Sequence, residues 1–157
     1  RFPGDDSSIH LMDFAETPAD WLDEALAARW AQIRTARRVV TAALEVQRRD
    51  KVIGSSLEAG PTVYVADPDL RAILDSVPFE DICITSSVQI ANFEGENVQN
   101  GQFSLPEVPG IAVEFAKAEG QKCQRCWKIS PDVGTHSHPG VNARCEAALS
   151  AQGNEAK

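Results

Sequence analysis

No apolar run in these 157 residues approaches the roughly 20 that would carry a helix across a bilayer, so no membrane partner is expected. The opening stretch RFPGDDSSIH has neither the basic segment nor the apolar core of a secretory leader, which predicts a cytoplasmic protein. It also begins at Arg1 and not at a methionine, as a piece of a longer polypeptide would. There is no glycine-rich loop of the kind that cradles a nucleotide, and no internal repeat. Cysteine is scarce. The four thiols could make two disulfides in a secreted chain, but a C-x-x-C spacing without a leader points to a metal or a redox pair. The most informative lack is a fourth ligand. Cys123 and Cys126 form a C-x-x-C knuckle and Cys145 stands alone, while Asn142 occupies the place where a second C-x-x-C would begin. Three ligands do not close a tetrahedral structural zinc site.

What is present is ordinary in bulk and uneven in detail. Apolar residues make up 43% and charged residues 24%, as in a globular protein with one modest core or two or three small units leaning on one another. The net charge of −8 argues against a nucleic-acid partner only on average. Residues 29 to 51 hold seven basic side chains against Glu45 and Asp50, a local balance of +5. Residues 117 to 145 hold five against Glu119 and Asp132, a balance of +3. Two basic islands therefore sit in an acidic chain.

Along the chain, residues 1 to 16 read as an extended lead-in whose apolar patch, Ile9, Leu11, Met12 and Phe14, is expected to dock. TPAD then begins a helix, with Thr17 as N-cap, Pro18 in the first helical position and Asp20 in a capping-box arrangement. Leu22, Leu26, Trp30, Ile33, Val40 and Leu44 follow at helical spacings and predict one apolar face reaching about residue 50, with a break near Ala27 and an end at Gly54. Residues 62–66 read as a strand, 67–77 as a helix, 82–92 as an alternating strand and 111–118 as a further strand, after a loop or hairpin turn over 95–110. That is a small β-α-β-β unit. The cysteine module follows, and residues 150–157 form a frayed tail.

A knuckle turn brings two thiolates two residues apart onto one ion, and Cys145, after a loop of 18 residues, supplies a third corner. The alternatives are a degenerate knuckle held by packing and a redox pair. A redox C-x-x-C wants a helix N-terminus to lower its thiol pKa, and the preceding strand, Trp127 and Pro131 speak against one here. Of the histidines, His138 is the better candidate for the fourth ligand because Pro139 fixes the turn beside it; His136 is the other, and either also reads as a solvated loop residue. In the long helix, Arg34, Arg37 and Arg38 form a patch at i, i+3 and i+4 without interleaved acids, which suits a phosphate backbone. The bland reading of the same arginines is a solvated outer face.

The run LEVQRRDKVIGSSLEA (44–59), together with SIHLMDF (8–14), Trp21 and KCQRCWKISPDVG followed by HPGVNARC, resembles in order and spacing the C-terminal part of bacterial isoleucyl-tRNA synthetase. The resemblance spans residue 8 to about 149. It implies an α+β fold in which residues 1–60 end a helical anticodon-binding domain, 61–118 form a small α/β junction and 119–149 a zinc-finger-like module. It further implies a tRNA partner, the rest of the synthetase chain, and a zinc module, in which Cys123, Cys126 and Cys145 bind with a histidine, His138 for preference, or with water, or the metal is absent. The family pattern has a cysteine where Asn142 stands, and a neutral amide is a poor zinc ligand. Neither an H-I-G-H-like nor a K-M-S-K-S-like stretch is present, and no editing site, so ATP-dependent activation of isoleucine belongs to the full-length enzyme. This fragment is expected to grip tRNA, with Arg34, Arg37 and Arg38 on phosphates and Arg125 and Trp127 stacking on an unpaired anticodon base. The rivals are a protein-binding zinc module without an RNA partner and a thiol-redox enzyme. A glycosylase-type zinc finger shares C-x-R-C, but the arginine-bearing helix fits it less well.

Overall fold

The computed structural model describes residue 10, residues 14–93, residue 99 and residues 101–154. It is a mixed α/β protein with four α-helices and two sheets among those residues. The expected docking residues Ile9, Leu11 and Met12 lie outside the described residues, and Phe14 is fully exposed, so it docks on nothing described.

The long helix α1 runs unbroken from Glu24 to Arg49. Thr17 does not cap it. Residues Ala19–Trp21 form a separate 3-10 turn without a side-chain cap, and the chain extends again at Leu22. Asp23 is the true N-cap, its carboxylate accepting from the Leu26 N–H at 2.8 Å. The break thus precedes the helix and does not fall near Ala27. The end differs too. Val52 N–H bonds Gln47 C=O at 2.9 Å and Lys51 N–H bonds Arg48 C=O at 3.0 Å, the double closure of a Schellman motif with Lys51 at φ +58° in the position glycine usually takes. Gly54 instead enters a second local structure, in which Glu58 and Ser55 form a capping box over the turn Ser56–Glu58.

A four-stranded sheet follows, in the order β2-β1-β4-β3, built from β1 (Thr62–Val65), β2 (Gln89–Asn92), β3 (Gln102–Leu105) and β4 (Val108–Glu114). Strands β1 and β2 are parallel, joined through α2 (Pro68–Asp75) and α3 (Phe79–Cys83); the other two pairings are antiparallel. Residues 82–83, expected to open a strand over 82–92, are therefore the end of a helix, and of that stretch only Gln89–Asn92 is strand. The five-residue helix buries Phe79 and Cys83 and ends at Ile84 in a left-handed conformation. The anticipated loop before residue 111 contains β3 and the start of β4, whose short two-residue turn at Pro106–Glu107 makes the hairpin.

Val63 opposite Val113 and Val65 opposite Ile111 present one sheet face to a single apolar cluster, which they share with Ile33, Ala36, Val39, Val40, Ala43 and Leu44 of α1, Leu74 of α2 and Phe79 of α3. Only the C-terminal part of α1 contributes. Its earlier residues Leu26 and Trp30, with Trp21 and Leu22 before it, continue the apolar row into solvent. Cys83 lies deep in this core, where burial pushes its thiol up to about 12 and makes it inert. The cysteine module closes the chain: β5 (Gln121–Lys122) pairs with β6 (Ile129–Ser130), and α4 (Ala143–Asn154) extends helical structure into what the sequence reads as a frayed tail.

Candidate functional site

The two-residue ladder of β5 and β6 forces a tight turn, in which Cys123 N–H bonds Lys128 C=O at 2.8 Å and Trp127 N–H returns to Cys123 C=O at 3.0 Å. This places Cys123 and Cys126 on one side of the turn. Cys145 arrives from the first turn of α4, and the three Sγ atoms lie within 4.8 Å of one another. Thiolates bound at ~2.3 Å to one tetrahedral ion stand about 3.8 Å apart, so the cluster fits a zinc ion after a small inward shift. Gly120, at φ +111°, makes the approach possible: a Cβ there would meet the Ser130 backbone carbonyl at 2.2–2.3 Å.

The thiols are electrostatically prepared. Burial works against ionising Cys123, yet the backbone N–H groups of Cys126, Asn142 and Arg125 converge on its sulfur and bring its pKa down to about 6. Burial raises Cys126, with Cys123 and Cys145 adding to the rise. Cys123 is thus ready to bind as thiolate near neutral pH, and a divalent cation would supply the charge that ionises Cys126. Arg125 Nη1 lies 3.7 Å from Cys145 Sγ, so its guanidinium serves the sulfur cluster.

Asn142 is buried at the cluster, but both ends of its amide are committed. Its Oδ1 accepts from the Cys145 N–H at 3.1 Å, the N-cap bond of α4, and this fixes Nδ2 as the group facing Cys126 Sγ at 3.5 Å. The amide donates to a sulfur instead of presenting an oxygen to a metal. The sequence-expected fourth ligand, His138, is elsewhere: its Nδ1 lies 2.7 Å from Glu146 Oε2, and His136 Nε2 lies 2.9 Å from Asp132 Oδ2. Among the described residues the group able to hold a metal is the three cysteines alone. His138 staples the 131–140 loop to α4, while His136 pairs with Asp132 inside the loop. Asp132, held well below the usual carboxylate range by Ser130, His136 and the Ala143 N–H, ties the loop to the helix start, and Glu146 is lowered by Ser137 and then His138.

The module is fastened to α3 by charge. Asp81 receives Lys128 on one carboxylate oxygen and Arg144 Nη1 on the other at 3.1 Å. Ser86 relays between the units, accepting from Ile129 N–H at 2.6 Å and donating to Leu57 C=O at 2.5 Å. Spacing in the sequence signals neither contact. The N-cap role of Asn142 did have a local signal, since Asn before a helical run is a preferred cap.

Trp127 stands outside this frame. Its backbone sits at φ +66°, unusual for a bulky residue, and its indole is 61% exposed with Lys122 Nζ 5.2 Å above the ring. The ring borders a depression of about 400 Å³ shared with Ser55, Leu57, Glu58, Lys122 and Ile129, so the 51–59 run meets the cysteine module here. The arginine patch of α1 is divided. Arg37 Nε donates to Ile82 C=O at 2.8 Å and is half-buried, while Arg38 lies exposed at 4.0 Å from Glu107. Arg34 is exposed, and no ion pair reaches it among the described residues.

No family model matches the chain. It is 54% identical over 149 residues to an isoleucine–tRNA ligase of Ruegeria pomeroyi, 51% over 150 residues to that of Agrobacterium fabrum and 47% over 143 residues to that of Brucella abortus. These alignments cover 90–95% of this chain but only 14–15% of each relative's own length. No helix among the described residues is long and apolar enough to cross a membrane.

Proposed function

We propose that this chain, which matches a fragment of bacterial isoleucine–tRNA ligase, is the part of the enzyme that holds the anticodon region of tRNA. In this reading the attachment of isoleucine using ATP, in the cytoplasm, belongs to the rest of the polypeptide, and this fragment alone is inactive. Cys123, Cys126 and Cys145 would hold zinc, whose contribution is a cross-link between the knuckle and α4, not chemistry on a substrate. The observation that carries the reading is Trp127. An exposed indole kept in a left-handed conformation costs roughly 1 kcal/mol of backbone strain, and Lys122 beside it joins a stacking surface to a phosphate-seeking charge. Arg34 and Arg38 add exposed basic charge on α1, and Arg125 flanks the thiols. Arg37, occupied by Ile82 C=O, contributes to packing.

The test separates stability from binding. Trp127→Gly relieves the strained φ, so the melting temperature should hold or rise while affinity for isoleucine-accepting tRNA falls by roughly 5- to 150-fold, the effect of ~1–3 kcal/mol for one lost stack. Trp127→Phe should retain most of the affinity. Arg34→Ala and Arg38→Ala should each lower the slope of log affinity against log salt by up to about 1, whereas Arg37→Ala should cost stability and leave the slope alone. Undiminished tRNA binding by Trp127→Gly would remove the basis of the reading. The exposed row Trp21, Leu22, Leu26 and Trp30 favours a protein contact as well, and the rest of the ligase chain is the partner we assign to it. An apolar contact there would be insensitive to salt, unlike the tRNA grip.

A further inference from the structure

We propose that the metal centre of this chain is an open one, bound by three thiolates with its fourth coordination position available to an exogenous donor. The proposal rests on the reading that Cys123, Cys126 and Cys145 bind zinc, and goes beyond it in what the residues around them permit. Each nearby side chain that could close the set is held in another bond. Asn142 cannot turn its oxygen to the sulfur cluster without giving up the N-cap of α4, since Oδ1 is the acceptor of the Cys145 N–H. Losing that bond costs about 1 kcal/mol and would loosen the turn that carries a ligand. His136 and His138 are held at hydrogen-bond distance by Asp132 and Glu146, and these carboxylates are themselves fixed by Ser130, Ala143 N–H and Ser137. Moving either imidazole to the sulfurs would give up its carboxylate partner.

The surroundings also suit three sulfurs better than four. Three thiolates on a divalent ion carry one net negative charge, four carry two. Asn142 Nδ2 donates to Cys126 Sγ, and Arg125 places a cation 3.7 Å from Cys145 Sγ, so side-chain donors support two of the three sulfurs. In place of a fourth thiolate the site has a group that donates to one of the existing sulfurs. A fourth corner left to solvent makes a site that exchanges its outer ligand readily and admits a small neutral donor such as imidazole, which would replace water without any proton transfer.

Cobalt(II) added to the zinc-free 157-residue chain tests this, because its d–d bands report coordination number and ligand type. The chain should bind one cobalt in tetrahedral geometry and protect three thiols from alkylation, and free imidazole should shift the d–d bands. In Asn142→Cys the bands should no longer respond to imidazole, and the thiolate-to-cobalt absorption of the parent chain should be about three quarters of that variant's. Asn142→Ser keeps a capping hydroxyl and should fold, shift the d–d bands only slightly through the lost Nδ2–Cys126 bond, and respond to imidazole as the parent does. His136→Ala and His138→Ala should also leave the bands in place. Indifference of the parent chain to imidazole, altered d–d bands in either histidine variant, or an imidazole response present in Asn142→Ser but absent from the parent would each show a protein ligand in the fourth position and overturn the proposal. Failure to bind cobalt at all would overturn the metal reading beneath it, a result distinct from a closed site.

Discussion

The α/β unit and the cysteine module are built on different physical terms. Among the described residues the first gathers sixteen buried side chains into one cluster, while the second gathers four, two of them thiols. A cluster the size of the first repays the ordering of its chain by apolar burial. The second is too small for that, and its segments are held by polar staples (Asp132, Glu146, Asn142), by charged fastenings to α3, and by whatever joins the three sulfurs. Small units of this kind depend on metal where a core is missing.

The comparison is broken most severely by chelation. On the proposed zinc reading, a chelator should unfold the cysteine module, since apparent binding energies of structural zinc are on the order of 10 kcal/mol, while the amides of β1 and β4 stay protected from hydrogen exchange. Simultaneous loss of protection in both regions would mean that they fold as one unit. The converse experiment attacks the α/β core. Ile33→Ala should cost ~2–5 kcal/mol, measured by denaturant unfolding, with zinc affinity unchanged. Leu26→Ala, on the same row but 46% exposed, should stay within about 0.5 kcal/mol.

The fastening between the regions gives a smaller, pH-dependent effect. Lys128 lowers the Asp81 pKa against the opposing effect of burial, and Arg144 adds to the lowering. A depressed carboxylate stabilises the docked module above its unfolded pKa, near 3.9, and that contribution is lost as pH falls through the lower folded value. Asp81→Ala should therefore cost about 1 kcal/mol at neutral pH, discounted for the partial exposure of the pair, and should abolish the acid dependence of module docking as followed by chemical shifts. Smallest is a gain. Lys51→Gly should stabilise the α/β unit by up to about 1 kcal/mol in a melting experiment, because glycine accepts φ +58° without a Cβ penalty, and the module should not register the change.

Much of this architecture is legible in the order of residues. The apolar spacing through Ile33, Val40 and Leu44 marks the long helix, the β-branched run at 62–65 marks β1, and C-x-x-C with a third cysteine marks the sulfur cluster. The failures share a cause. Thr17 and Asp23 are both acceptable caps, and only the turn at Ala19–Trp21 decides between them. The stretch 82–92 alternates like a strand, yet its first residues complete a helix whose Phe79 and Cys83 fill the core against α1. Arg37 looks like its neighbours in sequence, and differs because Ile82 C=O lies within its reach across 45 positions.

Local chemistry, then, was determined by the sequence alone: which segments could be helices, where three thiols could meet, and that Asn142 is a poor metal ligand. Those properties depend on bond geometry, side-chain volume and intrinsic basicity, which act over a few residues. Tertiary structure decided how each polar group is used. Asn142 caps α4 and donates to Cys126 because a buried amide must be satisfied, and the more exposed His138 and Asp81 pair with Glu146 and with Lys128 and Arg144 because folding brings those partners within reach, however far away they lie in the chain.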